Sequence, residues 1–246
     1  MDLKIFIAIV IIIILLIIVI SYMLQDVNTL TGLTQATTLQ KVDAINLDQT
    51  NSNSSNFTYS IWFYIDDWSY KYGETKFIFG RMAQGTDTKI NTNEPCPSVV
   101  LGDTLNNIEV SLAVYPTYDN MPDNSNNFVL NTFSIANIAI QKWVNLLVSV
   151  YGRTMDIYID GKLVRTCILD GVAKIDSAAP VYITPYGGFS GWTARFQYWS
   201  NEIDPQKAWD IYKQGYGSSF LGSLVGRYRV KVSLMDGNTE DSSLVF

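Results

Sequence analysis

The amino-acid sequence predicts an all-β sandwich, preceded by one apolar helix and closed by one short helix. Three observations carry this. Residues 57–65 and 143–165 alternate apolar and polar side chains, Asp160-Gly161 sits between two alternating runs, and Ile5 to Leu24 carries no charge. Period-two alternation puts successive side chains on opposite faces of a strand. Asp-Gly supplies the two positive-φ residues of a type I′ hairpin turn.

Residues 1–4 are a short tail. Ile5 to Leu24 (IFIAIVIIIILLIIVISYML) matches the roughly 20 apolar residues of a membrane-spanning helix, and Ile5, Phe6, Ile12, Leu15, Ile20 and Leu24 carry that anchor. A cleaved signal peptide would have a shorter apolar core followed by a small-x-small site, which Ser21-Tyr22-Met23-Leu24 does not offer. A buried core helix is the other alternative. Lys4 and the terminal amine precede the span and Asp26 is the first charge after it. That asymmetry favours a cytoplasmic N-terminus with the bulk of the chain across the membrane.

Residues 25–55 are polar and predict a stalk, with one early strand at Ala44 to Leu47. Asn51 to Asn56 (NSNSSN) marks a flexible boundary. Asn53-Ser54-Ser55 and Asn56-Phe57-Thr58 match the N-glycosylation pattern, although such triplets arise by chance in an Asn-rich chain. The globular region runs from residue 56 to 215. Phe57, Tyr59, Ile61, Phe63 and Ile65 form one face of its first strand, with Thr58, Ser60, Trp62 and Tyr64 on the other. Lys76 to Gly80, Ser98 to Leu101 and Ile108 to Tyr115 are further strands, separated by loops at 81–98 and 116–127. Phe128 to Phe133 and Ala139 to Trp143 lead into the Trp143 to Arg165 hairpin. Val181 to Thr184 is a short strand and Gly187 to Gly191 a turn. Trp192, Ala194, Phe196 and Tyr198 then alternate with Thr193, Arg195 and Gln197. Asp204 as N-cap, Pro205 at the first helical position and Gly215 as terminator bound a helix. Residues 216–246 hold another alternating strand, Arg227 to Met235, followed by Asp236-Gly237 as a turn.

Three ordered segments resemble one family. They are Phe-Thr-Tyr-Ser-Ile-Trp-Phe from Phe57, the Trp143-led strand with its Ile-Tyr-Ile-Asp-Gly-Lys hairpin, and Phe-Ser-Gly-Trp-x-Ala-x-Phe-x-Tyr-Trp-x-x-x-Ile-Asp-Pro from Phe189. Together they are similar to the laminin-G-like jelly roll of the concanavalin A-like lectin/glucanase superfamily. The single anchor and the Asn, Ile and Tyr-heavy composition also resemble proteins of large nucleocytoplasmic DNA viruses. That resemblance implies a minor capsid or virion protein.

Composition narrows the chemistry. A net charge of −6 with no Lys/Arg cluster argues against a nucleic-acid partner, which needs a basic face. The chain has no His, so Ser-His-Asp and Cys-His catalysis and the usual catalytic zinc sites are absent. Cys96 and Cys167 form a disulfide if the domain meets an oxidising compartment and stay thiols otherwise. The superfamily includes hydrolases that work with two carboxyl groups about 5–5.5 Å apart. The nearest approach here, Glu202-Ile203-Asp204, lacks the second Glu, and Asp204 serves as a helix cap. No catalytic residue is assigned, and the expectation is a protein that binds rather than an enzyme.

Two kinds of partner remain. The structural reading is a membrane-anchored tether to a capsid shell, with outward aromatics such as Trp62, Tyr64 and Trp199 buried against shell proteins. The carbohydrate reading uses an aromatic platform with loop residues Tyr118, Asp119 and Asp123, and calcium as a candidate cofactor. Calcium wants several oxygen ligands converging on one point, and the segment 119–127 has no recognisable ligand register. The expected partners are therefore membrane lipid, proteins of an assembly such as a capsid, and glycans, with no nucleic acid.

Overall fold

A computed structural model of the chain describes residues 12, 15, 16, 27–47, 55–83, 90–118, 127–217, 231–236 and 239–245. The chain divides into two units, one of Asn28–Tyr216 and one of Met1–Val27 with Gly217–Phe246.

The larger unit is a sandwich of two antiparallel sheets. In chain order its strands are β1 (Thr29–Thr31), β2 (Thr34–Gln35), β3 (Gln40–Val42), β4 (Phe57–Asp67), β5 (Lys76–Arg81), β6 (Ser98–Leu101), β7 (Asn107–Val114), β8 (Val129–Ala136), β9 (Trp143–Tyr151), β10 (Thr154–Ile159), β11 (Lys162–Ile168), β12 (Val181–Ile183) and β13 (Ser190–Trp199). One sheet runs β1-β13-β4-β9-β10-β11, with β2 also on β13; the other runs β3-β12-β5-β6-β7-β8. Each buries one face against the other. Phe57, Tyr59, Ile61, Phe63 and Ile65 all enter the shared core with Val99, Val110, Val148, Ile157 and Phe196. The alternation of β4 thus sets the inner face as expected.

The organising hairpin forms as its sequence requires. β9 pairs with β10 from Thr154↔Tyr151 to Ile159↔Leu146, and β10 with β11 from Ile159↔Lys162. Asp160 (φ 51°) and Gly161 (φ 72°) provide the positive-φ pair. The helix α1 spans Pro205–Gln214, and the Asp204 carboxylate accepts from the Lys207 N–H at 2.7 Å.

Two expectations need correction, and the cysteines, left open between a disulfide and thiols, are thiols. The polar segment after residue 27 is not a stalk up to residue 55, because β1, β2 and β3 join the sandwich at its sheet edges. Thr29, Thr31 and Thr34 are compatible with half-buried edge strands, and polar composition hid them. Ala44 to Leu47 is no strand: Ala44–Asn46 is a 3-10 turn. Cys96 and Cys167 do not form a disulfide. Both are free, buried thiols, one before β6 in one sheet and the other on edge strand β11 of the other. Burial pushes the Cys96 thiol up to about 12.

The smaller unit contains a hairpin of β14 (Lys231–Asp236) and β15 (Thr239–Val245). The pairing runs from Lys231↔Val245 to Asp236↔Thr239, and Gly237 of the expected Asp236-Gly237 turn lies outside the described residues. The anchor segment lies outside the described residues except Ile12, Leu15 and Leu16, of which Ile12, Leu15 and Leu16 are helical and more than half exposed. Ile5, Phe6, Ile20 and Leu24 lie outside them. Among the described residues no helix is long and apolar enough to cross a membrane.

Candidate functional site

The outward face of β13, β4 and β9 carries a row of aromatic side chains. Trp192 pairs with Tyr64 and Tyr64 with Trp143, so three rings stand side by side across three strands. Gln35 of β2 extends the row beyond Trp192. Residues paired across antiparallel strands share a face, and Tyr64 is outward because its neighbours Phe63 and Ile65 belong to the core.

A register break produces this row. Strict alternation over 192–198 would send Trp192 the same way as Phe196 and Tyr198, into the core. The pairing of β13 with β4 instead shifts between Ala194 and Gln197, and Arg195 adopts φ 46°. The extra residue inverts parity, as a β-bulge does. Phe196 and Tyr198 point inward to the core, whereas Trp192 is turned out and is 44% exposed. Arg195 is held there by its guanidinium, which donates to the Gly215 carbonyl at 3.0 Å and to the Gln214 side-chain oxygen. The bulge therefore also fastens the end of α1 to the sheet.

From Trp143 the aromatic row continues onto the helix. Tyr64 and Trp143 rings are 5.7 Å apart, and Tyr216 stacks on Trp143 at 4.4 Å with an 11° interplanar angle. Tyr216 meets Trp62 edge-on at 6.0 Å, Trp62 stacks on Tyr212 at 5.6 Å, and Tyr212 lies 5.3 Å from Trp209. Tyr216 is 45% exposed and Trp209 38% exposed. The result is an aromatic strip of six rings in contact from Tyr64 to Trp209, with Trp192 beside Tyr64 on the neighbouring strand; Trp192, Tyr216 and Trp209 are its open rings.

The helix can lie this close because of the hairpin turn. A Cβ at Gly161 would come within 2.8 Å of the Tyr212 Cβ and 3.0 Å of Trp209 Cε3. Ala208 and Ile211 of α1 pack on Leu147 and Tyr158, with Trp199 and Ile203 against the same cluster. Burial beneath the helix raises the Tyr158 phenol, with the nearby Asp156 and Asp204 charges adding to it. Under the strip, Asn145 donates to the Ser60 hydroxyl at 3.0 Å, and its N–H reaches the Asp160 carboxylate at 3.0 Å.

The expected contact residues are distributed unevenly. Tyr64 belongs to the strip and is half-buried. Trp62 was expected to be outward and available; it is outward but only 5% exposed, because Tyr212 and Tyr216 cover it. Trp199 is likewise packed against the α1 cluster. It also lines a cavity of about 520 Å³ with Asn28, Tyr198, Glu202, Asp204 and Lys207. Tyr118 is 93% exposed and far from these ring contacts in the sequence; Asp119 and Asp123 lie outside the described residues. Trp192, Trp209 and Tyr216 were missed as contact residues. The signal for Trp192 was a Trp in an otherwise regular strand, but only the bulge decides its direction.

The carboxylates here have structural work. Asn56 donates to Glu202 at 3.0 Å, and Asp204 caps α1. Among the described residues no group of three or more His, Cys, Asp or Glu could hold a metal ion.

Comparison with solved structures gives the same sandwich. The botulinum neurotoxin serotype D ligand binding domain, solved in complex with N-acetylneuraminic acid, is 14% identical with a TM-score of 0.53, covering 76% of this chain and 43% of that one. The receptor binding domain of the botulinum neurotoxin C/D mosaic serotype is 13% identical with a TM-score of 0.53, covering 76% and 43%. The serotype D receptor binding domain is 13% identical with a TM-score of 0.52, covering 75% and 44%. The chain thus spans less than half the length of these domains, and at such identity the likeness is one of fold. No curated protein matches the chain. A laminin G-type family model matches residues 39–211, from just before β3 to the buried Ile211 of α1, and the chain belongs to the concanavalin A-like lectin/glucanases superfamily.

Proposed function

We propose that the jelly roll is a non-catalytic carbohydrate-binding module, carried on a single-pass membrane anchor with a cytoplasmic N-terminus. The observation that supports binding is the aromatic strip, in which Trp192, Tyr216 and Trp209 keep 44%, 45% and 38% of their surface exposed. Flat aromatic faces beside polar side chains suit pyranose rings, whose C–H faces are apolar and whose edges carry hydroxyls. Large exposed aromatics at the surface of a soluble domain mark interaction sites. The anchor rests on the uncharged stretch from Ile5 to Leu24.

Catalysis has no support in the same region. Glu202 and Asp204 are engaged by Asn56 and by the helix N-terminus. Binding through the strip needs no calcium, since it draws on rings and neutral polar groups.

A second reading keeps the domain as a tether between membrane and capsid shell in a virion. The exposed rings favour it equally in chemistry, because aromatics anchor protein interfaces. It loses Trp62 as a contact residue, because Tyr212 and Tyr216 cover it within the domain itself, while Trp199 is half-buried against the α1 cluster.

A glycan array probed with the full chain, in a detergent without a sugar headgroup, separates the two. The carbohydrate reading expects a saturable signal, equal with calcium and with chelator. Silence on every glycan, with co-purification of shell proteins from particles, would overturn it in favour of the tether.

A further inference from the structure

We infer that the strip reads a linear, neutral, β-1,4-linked glycan laid across the strands, and not a terminal or acidic sugar. The inference rests on the carbohydrate reading and specifies the ligand of the same site.

The direction comes from the register. Gln35, Trp192, Tyr64 and Trp143 occupy one row over β2, β13, β4 and β9, and neighbouring strands are about 4.8 Å apart. The backbone positions of the row therefore repeat at about the length of one sugar residue, and the Tyr64 and Trp143 rings lie 5.7 Å apart, tilted by 53°. A ligand that uses several of them must be extended, with consecutive apolar faces. Equatorially linked gluco-configured pyranoses give such a ribbon; α-linked chains coil away from a straight row. A terminal monosaccharide would need a closed pocket, and this site is an open strip of rings.

Charge argues for a neutral ligand. An acidic sugar needs a free cation, and the two lysines next in sequence to strip residues each lie beside a carboxylate. Lys142, next to Trp143, lies 3.8 Å from Asp160, and Lys213, next to Tyr212, lies 2.9 Å from Asp210. The Arg195 guanidinium is turned to Gly215 and Gln214.

Trp192 is the discriminating residue. It is 44% exposed, is the outermost ring of the row, and has no ring neighbour within the strip's described stacking contacts, so its removal leaves the stacked rings from Tyr64 to Trp209 in place. Calorimetric titration of the full chain in a detergent without a sugar headgroup would use cellohexaose and chitohexaose, the corresponding trimers, maltohexaose and sialyllactose. The expected result is binding of a β-1,4 hexamer, tighter than its trimer, with weak or no binding of maltohexaose and sialyllactose. Trp192→Ala should weaken the hexamer about tenfold, the loss typical of truncating an aromatic anchor, while Trp192→Phe retains most of it and both still unfold in one cooperative melt. Binding of sialyllactose or maltohexaose alone would overturn the inference and leave the carbohydrate reading in place. Hexamer binding unchanged in Trp192→Ala would also overturn it, since the site would lie elsewhere. Absence of binding to every sugar, here and on the array, would overturn both.

Discussion

Gly161→Ala tests whether the hairpin turn and α1 build the strip together. Gly161 has φ 72°, and an added Cβ would meet Tyr212 Cβ at 2.8 Å, Trp209 Cε3 at 3.0 Å and Trp209 Cα at 3.2 Å. Two costs follow. A left-handed backbone costs a non-Gly residue about 1–2 kcal/mol, and forcing a carbon into a packed contact costs about 1–3 kcal/mol more. Gly152→Ala isolates the first, because Gly152 has φ 56° with nothing within 4 Å of its Cβ position. Equilibrium urea unfolding of the full chain in detergent should therefore place Gly161→Ala below Gly152→Ala by about 1–3 kcal/mol, or roughly 2–12 °C for a domain of this size. Near-ultraviolet circular dichroism should change only in Gly161→Ala, where the Trp62–Tyr212 and Tyr212–Trp209 contacts shift. Equal stability of the two variants, with unchanged aromatic dichroism, would refute the packing of α1 on the turn.

Other consequences follow from named groups. Asp204→Ala removes the acceptor of the Lys207 N–H and should cost about 1 kcal/mol in the same unfolding assay. The Ser149 hydroxyl contacts Thr58 at 3.0 Å and accepts from the Ile203 N–H at 3.1 Å, so Ser149→Ala should destabilise by about 0.5–1.5 kcal/mol, the net contribution of a typical hydrogen bond. A thiol titration without reductant should find no reactive thiol in the native chain and both after denaturation; no thiol in denaturant would mean a disulfide. Because burial holds Cys96 near 12 against an ordinary 9.0, its folded pKa is raised. Its contribution to stability is then complete below about pH 9 and declines as pH climbs towards 12. A melting series over that alkaline range, compared with Cys96→Ala, checks the sign.

Much of the sandwich was legible because its signals are local. The alternation of β4 and β9, the Asp-Gly turn and the Asp-Pro helix start each act within a few residues, and each falls where the sequence put it. Edge strands were not legible. Thr29 to Val42 gains its structure from pairing with β13 and β12, and a half-exposed edge needs no apolar alternation. The strip was legible only in part. Tyr64 was expected outward, and so was Trp62, but its cover comes from Tyr212 and Tyr216 about 150 residues later in the chain, by the long-range packing that propensity cannot see. Period alone places Trp192 on the face of Phe196, and a single bulge residue, Arg195, reverses it.

Hydrogen exchange of the full chain with and without a bound glycan, identified from the array, tests the central claim most directly. The account predicts added protection in the segments bearing Tyr64, Trp143, Trp192 and Trp209 to Tyr216, with none in the loops at 81–98 and 116–127. Protection confined to those loops, or to the cavity lined by Asn28 and Lys207, would contradict it.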